Sequence, residues 1–214
     1  MDPVMSDQPG LGSLTSKKGW VRIGYDKTAW IPCLPVFPAG YDRESYSSEV
    51  AQVWWEASGL PHEAVDVQRL AAMIAEIHKS TYGEIPCHLA FIHLPDPRLM
   101  PLVLYVGIWE STGDRDEQLR MLCHADDAGA VERPMAEEFS TGKLGTGIRV
   151  IRYRHLGDGA LYAGLSYAWR SEQYETDLLL SASSEDLARL QRAIPDIEAF
   201  AAATSIIPQT ELRG

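Results

Sequence analysis

Alternating apolar and polar positions predict an antiparallel meander in the last third of the chain. Strands are predicted over Ile148–His155, Ala160–Arg170 and Tyr174–Ser181, and short turns connect them. The segment Leu156–Gly159, which reads Leu-Gly-Asp-Gly, is typical of a tight hairpin. In the middle strand every second residue is large and apolar, so one face of that strand is predicted to be buried.

Short apolar runs predict four further strands in the first half of the chain. They lie at Trp20–Tyr25, Thr28–Ile31, Cys87–Leu94 and Leu102–Trp109. The last of these is apolar on both alternating faces, which indicates a central strand that is covered on both sides. With the meander, these strands predict a mainly antiparallel sheet of about six or seven strands.

Apolar residues at helical spacing predict helices beside this sheet. The first helix carries a stripe that includes Val53 and Trp54, and it ends at Gly59, where a left-handed cap is expected. A second helix is predicted over about 67–77 and a third over about 114–124.

The C-terminal helical region is predicted to be interrupted at Pro195. Proline fits the first turn of a helix and not its interior, so one helix is expected to end at Ile194 and the next to run from Asp196 to Ala203. Ser183 is predicted to cap the first of them.

The elements together predict one α+β domain over residues 19–207. Residues 1–18 are rich in Ser, Gly, Pro and Asp, and a disordered N-terminal arm is expected there because little apolar surface is available to bury. Residues 208–214 are expected to form a C-terminal tail.

The charge balance excludes some classes of partner. Among 214 residues there are 30 acidic and 19 basic ones, which gives a formal net charge of −11. This charge repels phosphate backbones and anionic lipids, so neither nucleic acid nor a membrane is expected as a partner. No stretch approaches the ~18 consecutive apolar residues of a membrane span.

The three cysteines, Cys33, Cys87 and Cys123, are widely spaced and odd in number. A secreted disulfide framework is therefore not expected. A cytoplasmic location is expected instead. No paired cysteine or histidine spacing typical of zinc occurs, so no metal is predicted. The segment Thr141–Gly147 contains the residue types of a phosphate loop in the wrong order, and a flexible turn without a cofactor is predicted there.

Cys123, His124, Asp126 and Asp127 lie close together in sequence as a thiol, an imidazole and two carboxylates. Adjacent residues on a helix point about 100° apart, so the thiol and the imidazole are not expected to meet. The favoured interpretation is a helix end with Cys123 packed inward and His124 near the negative end of the helix dipole. The alternative is a small-molecule hydrolase with a Cys/His site built on these four residues.

Arg152, Tyr153 and Arg154 belong to the one basic cluster of the acidic chain, and we predict that they contact a partner. Trp55 is predicted to join them, because it is rotated about 100° from the buried stripe of its helix and is expected to be partly exposed. The alternative for the basic cluster, which includes Arg149, is cross-strand pairing. The acids expected in that case are Glu172, Glu175 and Asp177.

The order of elements in the C-terminal third resembles that of a known superfamily. The elements are Gly147–Tyr153, a Gly-Asp-Gly hairpin, Leu161–Trp169, Leu178–Leu180, Asp186–Leu190 and Pro195–Phe200. This long meander closed by a terminal helix resembles the PsbP-like superfamily, which includes the actinobacterial LpqN-type proteins. The resemblance implies an antiparallel sheet between helices and an accessory or binding role, and it assigns no functional residue. The start of the chain shows neither the signal peptide nor the lipid-attachment cysteine of the LpqN type.

We therefore expect a non-catalytic cytoplasmic binding or accessory protein that acts through contacts with a protein partner or with itself. Two alternatives stay open. One is the small-molecule hydrolase with a Cys/His site. The other is an acidic inhibitor or immunity-type protein that neutralises a basic partner, which is suggested by the net charge alone.

Overall fold

The computed structural model describes residues 19–84, 87–155, 159–208 and 210, which form four α-helices and nine β-strands. The predicted arm at 1–18, most of the predicted tail and residues 156–158 of the predicted hairpin lie outside the described residues. The helices are α1 (Arg43–Ser58), α2 (Ala64–Glu84), α3 (Arg115–Leu122) and α4 (Leu187–Ala203). The strands are β1 (Gly19–Ile23), β2 (Trp30–Cys33), β3 (Leu89–His93), β4 (Leu102–Glu110), β5 (Met135–Thr141), β6 (Gly145–His155), β7 (Leu161–Ser171), β8 (Thr176–Ser184) and β9 (Thr204–Pro208).

Seven of the strands form one sheet in the order β2-β3-β4-β8-β7-β6-β5, and β1 pairs with β9 in a separate antiparallel sheet of two strands. The pairs β6–β7 and β7–β8 are antiparallel neighbours along the chain, as in the predicted meander, and β5 pairs with β6 in the same way. The predicted fold class is confirmed, since the protein is α+β with a mainly antiparallel sheet and helices.

The described chain divides into two compact units. One contains the segment up to Tyr25 and the chain from Tyr105 onward, and the other contains Asp26–Leu104. The expectation of one domain over 19–207 stays a prediction.

In the unit Asp26–Leu104, local signals place the ends of α1. The side chain of Asp42 accepts a hydrogen bond from the Ser45 backbone N at 2.8 Å, and Ser45 Oγ accepts one from the Asp42 backbone N at 3.0 Å. This reciprocal capping box satisfies two backbone donors at the start of the helix. Gly59 caps the end at φ 64°, in the left-handed region, as its position predicts.

The predicted apolar stripe of α1 is wrong by about one residue. The buried residues are Ser47, Ala51 and Trp55, while Val53 is exposed. Trp54 is half-buried, and its Nε1 donates to the Leu94 backbone O at 2.8 Å. The small residues Ser47 and Ala51 share the packed face with Trp55 at a spacing of four positions, and apolarity alone does not identify such a face.

In the other unit, the centre of the meander carries the largest buried side chains. Tyr167 and Trp169 of β7 are fully buried and stack with ring centroids 5.9 Å apart. On the opposite face of the strands, Cys123 at the end of α3 packs in an apolar cluster with Val150 and Ala168. Both faces of the meander therefore contribute to the core.

Strand β5 was not predicted. Five of its seven residues are exposed, so it lacks the alternation that marks a half-buried strand. It pairs with β6 in regular register from Met135–Ile151 to Thr141–Gly145. The turn predicted over Thr141–Gly147 is therefore shorter than expected, because its two ends already belong to strands.

The predicted interruption of the C-terminal helix is wrong, because α4 continues through Pro195. Pro195 lies on the exposed side, where water can hydrate the carbonyl that loses its helical hydrogen bond. Ala193 and Ile197 are buried on either side of it and hold the helix on the core. The N-cap is Asp186, whose side chain accepts from the Arg189 backbone N at 2.8 Å, and not Ser183.

Candidate functional site

Two segments that are separate in the sequence, the loop after α3 and strand β6, lie side by side in the structure. The loop that follows α3 runs along the end of β6, where the Val131 backbone N donates to the Tyr153 backbone O at 2.8 Å. Asp127 of this loop contacts Arg152 and Arg154 of β6. The candidate hydrolase segment and the candidate partner-binding strand therefore meet at one carboxylate.

The end of α3 explains how this loop is directed. His124 adopts φ 53°, and its backbone N donates to the Met121 backbone O at 3.0 Å. The Ala125 backbone N donates to the Arg120 backbone O at 2.9 Å. These two bonds form a Schellman motif with histidine at the left-handed position that glycine usually occupies. As a result Cys123 and Ala125 are buried, and His124 between them is exposed.

Cys123 and His124 do not form a nucleophile and its base. The Cys123 side chain is fully buried among apolar residues, and this burial raises the pKa of its thiol to about 12. The pKa of His124 is lowered, first by partial burial and then by the positive charge of Arg152. A catalytic cysteine needs an accessible thiolate, and Cys123 provides neither the access nor the charge.

Asp126 points away from the other three residues of its segment. Its Oδ2 accepts from Arg120 Nε at 3.0 Å, and this hydrogen bond lowers the pKa of its carboxyl. The exposed pair joins the last turn of α3 to the loop that follows it. The candidate hydrolase residues therefore do not share one environment. Cys123 lies in the apolar cluster, Asp126 pairs with Arg120, and Asp127 contacts the arginines of β6.

Asp127, Arg152 and Arg154 form what we call the arginine cluster. Asp127 Oδ2 lies 3.0 Å from Arg152 Nη1 and 3.6 Å from Arg154 Nε. Asp127 Oδ1 accepts from the Gly129 backbone N at 2.9 Å. The pKa of Asp127 is lowered, with this backbone hydrogen bond as the largest favourable cause and the two arginines as further ones. One carboxylate between two guanidinium groups leaves the cluster with one net positive charge.

The two arginines differ in access to solvent. The side chains of Arg152 and Asp127 are 16% and 14% exposed, whereas that of Arg154 is 41% exposed. Arg152 packs across Gly164 of β7. A Cβ atom at position 164 would lie 3.2 Å from Arg152 Nε. Glycine at this position thus permits the close approach that holds Arg152 in place. Arg154 is the arginine of the cluster whose donors are accessible from solvent.

A shallow, open cavity of about 400 Å³ adjoins Asp127 and is lined by residues of the segment 125–134. Its lining includes Asp126, Asp127, Glu132 and Arg133, together with the exposed apolar side chain of Val131. A shallow surface with charged and apolar groups is typical of a contact with a macromolecule, whereas small-molecule sites are concave and mostly apolar.

The other predicted partner-binding residues do not join this cluster. The expected partial exposure of Trp55 is wrong, because its side chain is 4% exposed and its ring stacks on His62 with centroids 5.3 Å apart. Tyr153 lies on the opposite face of β6 from Arg152 and Arg154, because successive residues of a strand alternate between faces. The alternation of β6 could have separated Tyr153 from the two arginines on sequence alone.

The acids expected to pair with the basic cluster are also different in the structure. Arg149 pairs with Glu137, which is directly opposite on β5, and with Glu198 of α4. Asp177 pairs with Arg170 of the neighbouring strand. Cross-strand pairing therefore occurs for Arg149 with another acid, while Arg152 and Arg154 are paired by a loop that periodicity does not place.

Within the described ranges, no group of three or more His, Cys, Asp and Glu side chains is arranged to hold a metal ion. None of the four described helices combines the length and the hydropathy that crossing a bilayer requires.

Comparison with known proteins shows the fold and not the activity. No protein-family model matches the chain, and no curated protein matches its sequence. The structure is similar to that of LpqN of Mycobacterium tuberculosis, a protein involved in cell envelope biogenesis, with a TM-score of 0.51 and 9% identity. The matched region covers 92% of this chain and 88% of LpqN.

The fold is of the LpqN type. A solution structure of cyanobacterial PsbP (CyanoP) from Synechocystis sp. PCC 6803 also matches, with a TM-score of 0.40, 10% identity and coverage of 95% of this chain and 99% of that one. The match to LpqN confirms the resemblance predicted from the C-terminal elements, for the fold. At this identity the likeness to LpqN transfers no functional residue.

Proposed function

We propose that this protein is a non-catalytic binding protein that engages a protein partner through the arginine cluster and the adjoining cavity. The observation that carries the proposal is the sharing of Asp127 by two arginines, one of which is half-exposed. We propose a cytoplasmic location as well, and the three free cysteines fit a reducing compartment.

The arginine cluster suits recognition of an acidic group on the partner. A guanidinium group presents a planar set of donors that matches a carboxylate, and Arg154 keeps part of this set in solvent. The cluster is positive in a chain whose net charge is −11, so an acidic partner residue is favoured there. A nucleic acid would meet the same positive group within an otherwise repulsive surface.

The hydrolase alternative is not favoured by any observation at the site. Its nucleophile would be Cys123, and burial both excludes substrate from this thiol and raises its pKa. His124 and Asp126 point to solvent and to Arg120, respectively, so no base or acid is directed at the sulfur.

The test is affinity purification of partners from the native cells with the wild-type chain, with Arg154→Glu and with the matched control Arg192→Glu. Arg192 is exposed on α4, so the control makes the same charge change at another site. We expect a stoichiometric complex with wild type and the control, and at least about tenfold weaker binding with Arg154→Glu, which corresponds to about 1.4 kcal/mol.

Mass photometry of the purified chain with its recovered partner provides the stoichiometry. A lone monomer under all conditions would overturn the proposal. A complex that Arg154→Glu leaves as tight as the control would equally exclude the arginine cluster as its interface.

A further inference from the structure

Strand β5 ends the seven-stranded sheet and, within the described part of the chain, pairs on one side only. In an antiparallel pair, alternate residues direct both backbone N–H and C=O away from the partner strand. The outer side of β5 therefore presents unpaired donors and acceptors that match those of another extended chain. Five of its seven residues are exposed, so the side chains leave this edge accessible.

The other end of the same sheet shows how an edge is usually protected. Strand β2 has four residues, and one of them is Pro32, which has no backbone N–H to offer. Strand β5 has seven residues, contains no proline and keeps a continuous register with β6. The protection that β5 does have is electrostatic, since Glu137 and Glu138 lie near its centre and no basic residue lies on it.

These two glutamates lie on opposite faces of the strand because successive residues alternate. Glu137 is half-exposed and forms an ion pair with Arg149. Because Arg149 also pairs with Glu198, the three side chains together carry one net negative charge. Glu138 is exposed and forms no ion pair with the described residues. An incoming strand therefore meets a negative charge on each face of the edge.

A second copy of this chain is a poor occupant of the edge. Antiparallel pairing of β5 with itself about its centre would place Glu138 directly opposite Glu138 of the other copy, or Glu137 opposite Glu138. Like charges directly opposite each other destabilise a strand pair. The net charge of −11 on each copy adds to the repulsion.

We propose that β5 binds an extended segment of a partner protein that carries two adjacent basic residues. The segment extends the sheet as a further antiparallel strand, with one basic side chain over Glu137 on one face and the next over Glu138 on the other. Backbone hydrogen bonds provide attachment, and the adjacent basic pair provides the register and the selectivity.

The flanking residues of β5 extend the pattern. Met135 and Phe139 lie on the same face as Glu137, two residues to either side. Phe139 packs its ring against Tyr167 and Trp169, with centroid distances of 4.9 and 6.0 Å, and Met135 is exposed. Apolar residues directly opposite them would gain cross-strand contacts. In an antiparallel strand the expected order is apolar, basic, basic, any residue, apolar.

This edge is distinct from the arginine cluster, which would attract acidic groups. Binding at one of the two surfaces does not depend on binding at the other. The experiment uses the full chain and a fluorescently labelled peptide, Ser-Thr-Val-Lys-Arg-Thr-Ile, with fluorescence anisotropy at low salt. A control peptide has Glu-Glu in place of Lys-Arg. We expect the first peptide to bind with a dissociation constant below about 1 mM and the control peptide at least tenfold more weakly, a difference of about 1.4 kcal/mol or more.

Charge reversal at the edge tests the site. We expect Glu138→Lys to weaken binding of the Lys-Arg peptide by at least about tenfold. Glu185→Lys, at an exposed acid between β8 and α4, makes the same charge change and should leave binding unchanged. Glu138 is exposed and unpaired by described residues, so equal urea midpoints for the two variants confirm that both are folded.

N-methylation of the peptide tests the strand geometry. One peptide is methylated at the backbone nitrogens of its odd residues and a second at those of its even residues. Only one of these two sets faces β5, so one peptide should lose binding and the other should keep it. Failure of the unmodified peptide to bind, equal effects of the two methylation sets, full binding to Glu138→Lys, or dimerisation of the chain through β5 would each overturn the proposal.

Discussion

One face of the meander carries two groups of arginines that each pair with an aspartate, and the two groups differ in how they are enclosed. Arg170 and Asp177 are directly opposite on β7 and β8, and their side chains are 5% and 0% exposed. Arg170 Nε and Nη2 donate to the two carboxylate oxygens at 2.7 and 3.0 Å. Nη2 also donates to the Thr112 backbone O at 2.9 Å, and Nη1 donates to the Gly113 backbone O at 3.0 Å.

The arginine cluster uses the same chemistry without this closure. Its acid, Asp127, comes from a loop, and the donors of Arg154 remain partly in solvent. A buried pair in which all three guanidinium nitrogens are hydrogen-bonded holds strands and loop in place and is shielded from a partner. A half-exposed pair is held less firmly and can exchange its contacts, so we assign binding to the arginine cluster and a structural role to Arg170 and Asp177.

The largest expected effect separates the two groups by stability. Asp177→Ala leaves the Arg170 guanidinium buried without its counter-ion, and we expect the free energy of unfolding to fall by about 3–5 kcal/mol. Asp127→Ala is the matched control, and because water can reach Arg154, we expect a clearly smaller loss. Urea unfolding measures both losses, and equal losses would show that the two groups do not differ in their contribution to stability.

The pH dependence of stability tests the effect of enclosure on one titratable group in the unit Asp26–Leu104. His78 of α2 is buried, and this burial, followed by the positive charge of Arg43, lowers the pKa of its imidazole to about 4. Between pH 6.5 and pH 4 the unfolded chain binds a proton at this residue and the folded chain does not. The protein should therefore lose stability as the pH falls through this window, by about 3 kcal/mol for this group at pH 4.

His78→Phe is the variant for this measurement, because the ring of His78 lies 5.4 and 5.7 Å from those of Phe37 and Tyr46. Urea unfolding of both proteins at pH 7 and pH 4 separates this group from the carboxylates, which titrate in both. The loss on acidification should be smaller in the variant. The same loss in both proteins would show that His78 does not titrate as its burial implies.

The smallest expected effect concerns the turn that directs the loop of the arginine cluster. His124 is at φ 53°, where a side chain is strained and glycine is not. We expect His124→Gly to raise the free energy of unfolding by about 0.5–1 kcal/mol, measured by urea unfolding. A loss of stability would show that the imidazole makes a contact worth more than the strain, which would add His124 to the cluster.

Elements with strong local signals could be predicted from the sequence. The Gly59 cap and the three strands of the meander follow from residue types and from alternation within a few positions. Strand β5 escaped prediction because an exposed edge strand has no buried face to pattern. The continuity of α4 escaped because Pro195 lies on the exposed face, which only packing of the helix determines.

The candidate site was predicted in separate pieces. The arginines of β6 and the residues after α3 were each identified, but their meeting at Asp127 depends on a left-handed turn at a histidine. Local propensity does not favour that conformation outside glycine, and the contact joins residues 25 positions apart. Trp55 shows the opposite failure. The buried stripe of α1 was assigned from its apolar residues, whereas Trp55 lies on the packed face together with Ser47 and Ala51.

By itself, the sequence determined the fold class, the alternation of the meander and the resemblance that the LpqN structure bears out, because these depend on short-range patterns of burial. The tertiary structure alone decided which arginine is enclosed and which is left in solvent, and which strand forms the open edge of the sheet. The physical reason is that enclosure depends on chain segments remote in sequence, which packing brings together and periodicity does not specify.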